Sequence, residues 1–204
     1  MRCEITPSRI SDGILLQHFS PIENYKMESA LGKIYNRDIG KKLIDKITKL
    51  SSEDIKVKIS VDYNSPSMCF GELNEGQKNK LGLYPGRPYD ENVILAENIS
   101  RKRGLFRKGE GVSVQLIWNP TDKTTDPDHP DLSESESFIS LAHELIHSMR
   151  YMKGTSRANN FNQYKDREST IDEKRTIGLN QFRIKEISEN NIRKEHGLPK
   201  RKSI

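Results

Sequence analysis

The sequence predicts an α+β fold, a mixed sheet packed beside a long helix, and three observations carry that reading. Ile55, Val57, Ile59, Val61 and Tyr63 alternate with Lys56, Lys58, Ser60 and Asp62, the period of a strand with one wet face. Val112, Val114, Leu116 and Trp118 alternate in the same way, and Asn119-Pro120 ends that strand. Phe138, Ile139, Leu141, Ala142, Leu145, Ile146 and Met149 then recur at helical spacing, as in a helix buried on one face.

The bounds agree with one domain. A chain of 204 residues can bury a sizeable core, although 33% hydrophobic against 31% charged residues implies a small one with long solvated segments. The formal charge of +5 is compatible with nucleic acid, an anionic membrane or an acidic protein as partner. No apolar run reaches membrane-spanning length, and no charged-then-apolar secretory signal opens the chain. The two cysteines, Cys3 and Cys69, form no disulfide framework and have no metal-site spacing, which fits a reducing compartment.

Taken in order, residues 1–28 show no clear period and are expected to be loosely structured, a composition compatible with an export signal. The remaining residues, 29–204, are read as the functional domain. From Ser29 to Leu50 the apolar residues Leu31, Ile34, Tyr35, Ile39, Leu43, Ile47 and Leu50 keep to one side, which predicts a single amphipathic helix weakened by Gly32 and Gly40. Its lysines form a solvated face. Between Asn64 and Arg107, Gly, Pro and Asn punctuate apolar groups at Leu81-Leu83-Tyr84 and Val93-Ile94-Leu95, which suggests short strands joined by turns. Arg101, Lys102, Arg103, Arg107 and Lys108 read as a solvated basic loop.

The strand over 112–118 comes shortly before the long helix, and an exposed sheet edge there would pair with an extended peptide through main-chain hydrogen bonds. Asp122, Asp126, Asp128, Asp131, Glu134 and Glu136 make the intervening segment an acidic loop, without the glycine and terminal glutamate of a Ca²⁺-binding EF-hand. The helix is expected from Ser133, with Glu136 completing a capping box, to Lys153, with Gly154 as its left-handed stop. A long polar connection over 155–165 follows.

That helix carries His143-Glu144-Leu145-Ile146-His147. Histidines at i and i+4 share a face, so both rings reach one Zn²⁺ while Glu144 leans over the open coordination position. The pattern suits a hydrolase in which zinc lowers the pKa of a water towards ~7 and a glutamate takes its proton. The same letters fit an amphipathic helix with ordinary surface histidines. A further ligand is required, and Asp166, Glu168, Asp172, Glu173, Glu186, Glu189 and His196 are candidates that spacing does not separate. Asp172-Glu173 opens a helix-compatible stretch reaching Gly178.

Leu141-Ala142-His143-Glu144-Leu145-Ile146-His147, followed by Asp172-Glu173-Lys174-Arg175-Thr176-Ile177-Gly178, resembles the paired motifs of the clostridial neurotoxin light chains. The chain is more similar still to the NleD-like zinc proteases, bacterial effectors delivered into host cells. Their C-terminal pattern E-N-x-x-R-x-E-x-G-L-P-x-R-x-x-Y is similar to Glu189 through Ile204. The resemblance covers roughly the last third of the chain.

It implies a zincin-like fold in which His143, His147 and Glu173 ligate Zn²⁺ and Glu144 is the general base. Asp172 would stand behind, orienting a ligand or Arg175; Glu189 would accept from one histidine's second nitrogen; Arg201 would face the carbonyl oxyanion. Ile204 occupies the position of the family's tyrosine, leaving Tyr151 or Tyr164 as substitutes. The implied function is that of a zinc endopeptidase, an effector of the type III secretion kind that leaves bacteria without a cleaved signal peptide and acts in host cytoplasm. The implied partner is a host signalling protein, a mitogen-activated protein kinase by resemblance, with neither nucleic acid nor membrane, and a monomer is expected. The rival reading is a non-catalytic basic module that docks on a host protein or nucleic acid.

Overall fold

The computed structural model describes residues 2–83, 89–102, 107–121, 136–157 and 167–204. The two alternating segments form the middle of its sheet. β1 (Glu4–Pro7), β2 (Ile14–His18), β3 (Val57–Val61), β4 (Met68–Glu72) and β5 (Ser113–Trp118) make a five-stranded sheet in the order β1-β2-β3-β5-β4. β3 runs parallel to β2 and β5, and the edge strands β1 and β4 are antiparallel to their neighbours. Among the described residues seven α-helices accompany it: α1 (Pro21–Tyr35), α2 (Asp38–Leu50), α3 (Glu75–Lys80), α4 (Tyr89–Ser100), α5 (Phe138–Met152), α6 (Arg167–Ile177) and α7 (Glu189–Glu195). Ile14, Leu16, Ile59 and Leu116 of the sheet share one core with Leu31 and Ile34 of α1, Leu43 and Ile47 of α2, and Leu141 and Leu145 of α5. Each is fully buried, a stabilisation of roughly 1.5–3 kcal/mol per side chain before entropy is counted.

Residues 1–28 are not loosely structured: they supply β1, β2 and the start of α1. β1 is short and mostly exposed, and β2 places apolar Leu15 at a half-buried position and polar His18 at a buried one, so neither writes a clean alternation into the sequence. The single helix expected over 29–50 is two. Ser20 caps α1 by accepting from Glu23 N, Asn36 ends it, and extended Arg37 (φ −131°, ψ 154°) turns the chain into α2. The apolar period runs through this break because both helices face the same core. Gly40 belongs to the crossing: a Cβ there would lie 1.9 Å from the Ile34 carbonyl oxygen.

The strand expected at Val93-Ile94-Leu95 is helical, within α4, where Val93 and Ala96 are buried. Leu81-Gly82-Leu83 is a turn with Gly82 at φ +67°, and Tyr84 lies outside the described residues. β5 is not an edge. The edge beside the long helix is β4, whose Gly71 lets α4 approach: a Cβ there would come within 3.1 Å of the Ala96 Cβ. α5 begins at Phe138 behind Ser137, whose side chain makes no cap, and Gly154 (φ +67°) ends it. Ser133, Arg103, the acidic residues 122–134, Tyr164 and Asp166 lie outside the described residues, as do 158–165 of the expected connection and the Glu168 side chain. Among the described residues no helix is long and apolar enough to cross a membrane.

Candidate metal centre

Three side chains from α5 and α6 converge. His143 Nε2 and His147 Nε2 are 3.1 Å apart, and the Glu173 oxygens lie 3.3 Å from the first and 3.1 Å from the second. Donors bound to one tetrahedral zinc at 2.0–2.1 Å are separated by about 3.3 Å, so the triangle has the size of a zinc-ligand face. Among the described residues, His143, His147 and Glu173 form the group that could hold a metal ion.

The outer nitrogens decide what the inner ones can do. His143 Nδ1 sits 2.7 Å from Glu189 Oε2, and His147 Nδ1 sits 2.9 Å from Asp172 Oδ2. A carboxylate accepts, so each Nδ1 carries its proton, and in its neutral form each ring turns the bare lone pair of Nε2 inward. With both rings neutral, two lone pairs and a carboxylate point at one another with no donor between them. A cation fits that arrangement.

The electrostatics say the same. Burial alone would push the His143 imidazole down, yet Glu173 and Glu189 carry it up to about 10. His147 is also opposed by burial and is carried to about 9 by Glu173 and Asp172. Burial would raise Glu173, but the two histidines hold it far below the ordinary carboxylate range, and Glu189 is brought down to about 2 by His143 and its cations. Such a pocket demands positive charge, from protons or from a metal. Glu144 stands outside the ligand group; burial raises its pKa while the histidines oppose the rise. The Cys69 thiol of β4, 5% exposed, shares a hydrogen bond with the Glu144 carboxylate.

A family model for effector proteins, peptidase M91, matches residues 24–203, most of the chain. The chain belongs to the peptidase M91 family. No curated protein matches it.

The other side chains of this M91 peptidase sort by position. Asp172, 1% exposed, stands behind His147, and its cation is Arg150, not Arg175: Arg150 Nη1 lies 3.3 Å from Asp172 Oδ1 and also bonds Thr176 Oγ1. Arg175 is partly exposed and lines a cavity behind α5. Arg150 was missed in the sequence, although at His147+3 it shares the helix side that meets α6. Arg201 is held at the outer end of the centre, with Nη1 3.6 Å from Glu189 Oε2 and Nε donating to the Ser203 carbonyl. Arg193, fully buried, donates through Nε to Glu189 Oε1 at 2.6 Å. It is the fixed arginine of the C-terminal pattern, so the sequence marked the residue without giving it a role.

Other candidates for the third ligand are engaged elsewhere. Glu186 pairs with Lys42, and the His196 ring packs on Phe138 at 4.7 Å. Tyr151 does not replace the missing family tyrosine, because it is fully buried and its hydroxyl donates to Glu97.

Proposed function

We propose that this M91 peptidase is a zinc-dependent endopeptidase, an effector secreted by bacteria that cuts a host signalling protein in host cytoplasm. The observation that carries the reading is the triangle of His143 Nε2, His147 Nε2 and the Glu173 carboxylate, with the Nδ1 of each ring held by Glu189 or Asp172. His143, His147 and Glu173 would hold the ion. When bound, Zn²⁺ would supply Lewis-acid polarisation of a scissile carbonyl and a water acidic enough to attack it.

The chain's own groups do the rest. Glu144 neighbours a ligand without being one, so its carboxylate is free to take a proton from the attacking water and return it to the leaving amine, a contribution of about 10²–10⁴ in rate. Glu189 and Asp172 fix the two rings, and Arg193 and Arg150 in turn fix those carboxylates. β4 ends the sheet next to α5, where an extended peptide could add as a further strand. The resemblance to NleD-like proteases favours a mitogen-activated protein kinase as substrate, by analogy alone.

Metal analysis of the dialysed protein tests the reading. About one zinc per chain is expected in the wild type and in Glu144→Gln, and little in His143→Ala. A metal-free wild type that still acts on its partner would instead support a non-catalytic binding module.

A further inference from the structure

Behind the metal centre, on the far side of α5 and α6, a cavity of about 420 Å³ opens between α2, α5, α6 and the segment before α7. Arg175 follows Glu173 by two residues, a rotation of about 200°, so it faces away from the metal; Met149 stands in the same relation to His147. Leu50, Met149 and Ile187 form an apolar floor, and Lys46, Lys49, Lys153, Arg175 and Lys185 surround it. The acid in the lining, Glu186, is taken by Lys42. Among the described residues none of these five cations has a carboxylate within ion-pair distance. Lys108 adds a further charge, and Lys153 has its pKa lowered by burial and by Lys108, Lys46 and Arg175.

Helix ends explain only part of this. α2, α5 and α6 all terminate near the cavity, and lysines there answer the negative ends of the helix dipoles. Three such ends amount to about −1.5 charges at roughly half a charge each. Five cations exceed that. The same ends present carbonyls, whereas phosphate sites are commonly built from helix N-termini and inward N–H groups. An acidic peptide with an apolar anchor matches both floor and rim; a small phosphate matches only the rim.

We propose that this cavity docks an acidic segment of a protein, an aliphatic or aromatic side chain seated on Leu50, Met149 and Ile187 and flanking carboxylates held by the surrounding lysines and Arg175. Resting on the protease reading, that protein is the substrate, held at a site separate from the one that cuts it.

The test is fluorescence anisotropy of the full chain with a labelled peptide of repeating Glu-Glu-Leu, titrated at low and physiological salt. Wild type should bind, more weakly as salt rises. Lys46→Glu/Lys49→Glu and, independently, Lys153→Glu/Lys185→Glu should weaken binding at least tenfold, whereas Lys41→Glu, which lies outside the cavity on α2, should change it less than threefold. A peptide with Gly in place of Leu should bind at least tenfold more weakly. Equal loss in Lys41→Glu and the cavity variants, or equal binding of the Gly peptide, would overturn the proposal; so would cavity-dependent binding of inositol hexakisphosphate without binding of the peptide. The readout involves no cleavage. A chain that docks the peptide and cuts nothing refutes the protease reading alone, and one that cuts but does not dock refutes the docking site alone.

Discussion

Glu189 Oε2 lies 2.7 Å from His143 Nδ1 although the two are 46 positions apart in the chain, and this contact makes the last helix part of the candidate metal centre. The other oxygen of the same carboxylate receives Arg193. Asn190 meanwhile brackets the backbone of Arg201, accepting its N–H and donating to its carbonyl. The C-terminal segment is thus tied to α7 and is no frayed tail.

Glu189→Gln should therefore weaken zinc binding by about 10–100-fold, the scale of losing a carboxylate that orients a ligating histidine. Competition with a fluorescent zinc chelator reads this directly. Unchanged affinity would mean that His143 is oriented without Glu189.

Glu173→Ala and Asp172→Ala should fail differently. Glu173→Ala removes a ligand and should lose metal more severely than Asp172→Ala, with little effect on the melting temperature of the metal-free protein. Asp172→Ala strips the buried Arg150 of its anion and frees the His147 ring. Breaking a buried pair typically costs 3–5 kcal/mol, here reduced by the Asp172 carbonyl and Thr176 that Arg150 retains, so the melting temperature should fall by several degrees. If Asp172→Ala lost more metal than Glu173→Ala, the ligand assignment would be off by one residue.

Arg201 reaches Glu189 at 3.6 Å, while Arg193 holds the same carboxylate more closely. Arg201→Ala should then reduce zinc affinity less than tenfold and kcat less than tenfold. A kcat loss of about 10²-fold at full metal content, the scale of one oxyanion donor, would instead support the transition-state role that the family resemblance implies.

Cys69 and Cys3 should differ in reactivity. Burial raises the Cys69 thiol pKa well above its ordinary value, and Glu144 raises it further, so almost no thiolate exists at neutral pH; Cys3 is exposed. Iodoacetamide should label Cys3 alone in the native protein and both thiols after denaturation, by intact mass. Rapid native labelling of Cys69 would mean that β4 opens readily from α5.

The sequence made the site more legible than the fold around it. His143, Glu144 and His147 are local: a single helix period places them, and the apolar stripe that buries α5 surrounds them. The carboxylates behind the rings were visible through the resemblance to known motifs, since a contact between α5 and α7 leaves no trace in spacing. Arg150 escaped because its role depends on how α6 crosses α5. In the fold, β3 and β5 showed themselves by alternation, but β2 was hidden by an apolar Leu15 on its wetter face and a polar His18 on its buried one, and β4 by Gly71, which is there for Ala96 and contributes no pattern of its own. The break at Asn36-Arg37 was hidden because the two helices on either side of it share one core.

The most direct test of the central claim is to incubate the purified protein with host-cell lysate and read new protein N-termini by mass spectrometry, with wild type, Glu144→Gln and a zinc chelator in parallel. A defined set of new N-termini should appear with wild type, vanish with chelator and return on adding zinc, and be absent with Glu144→Gln although that variant keeps its metal. The same N-termini from Glu144→Gln, or from chelator-treated wild type, would contradict a zinc peptidase that uses Glu144 as its base.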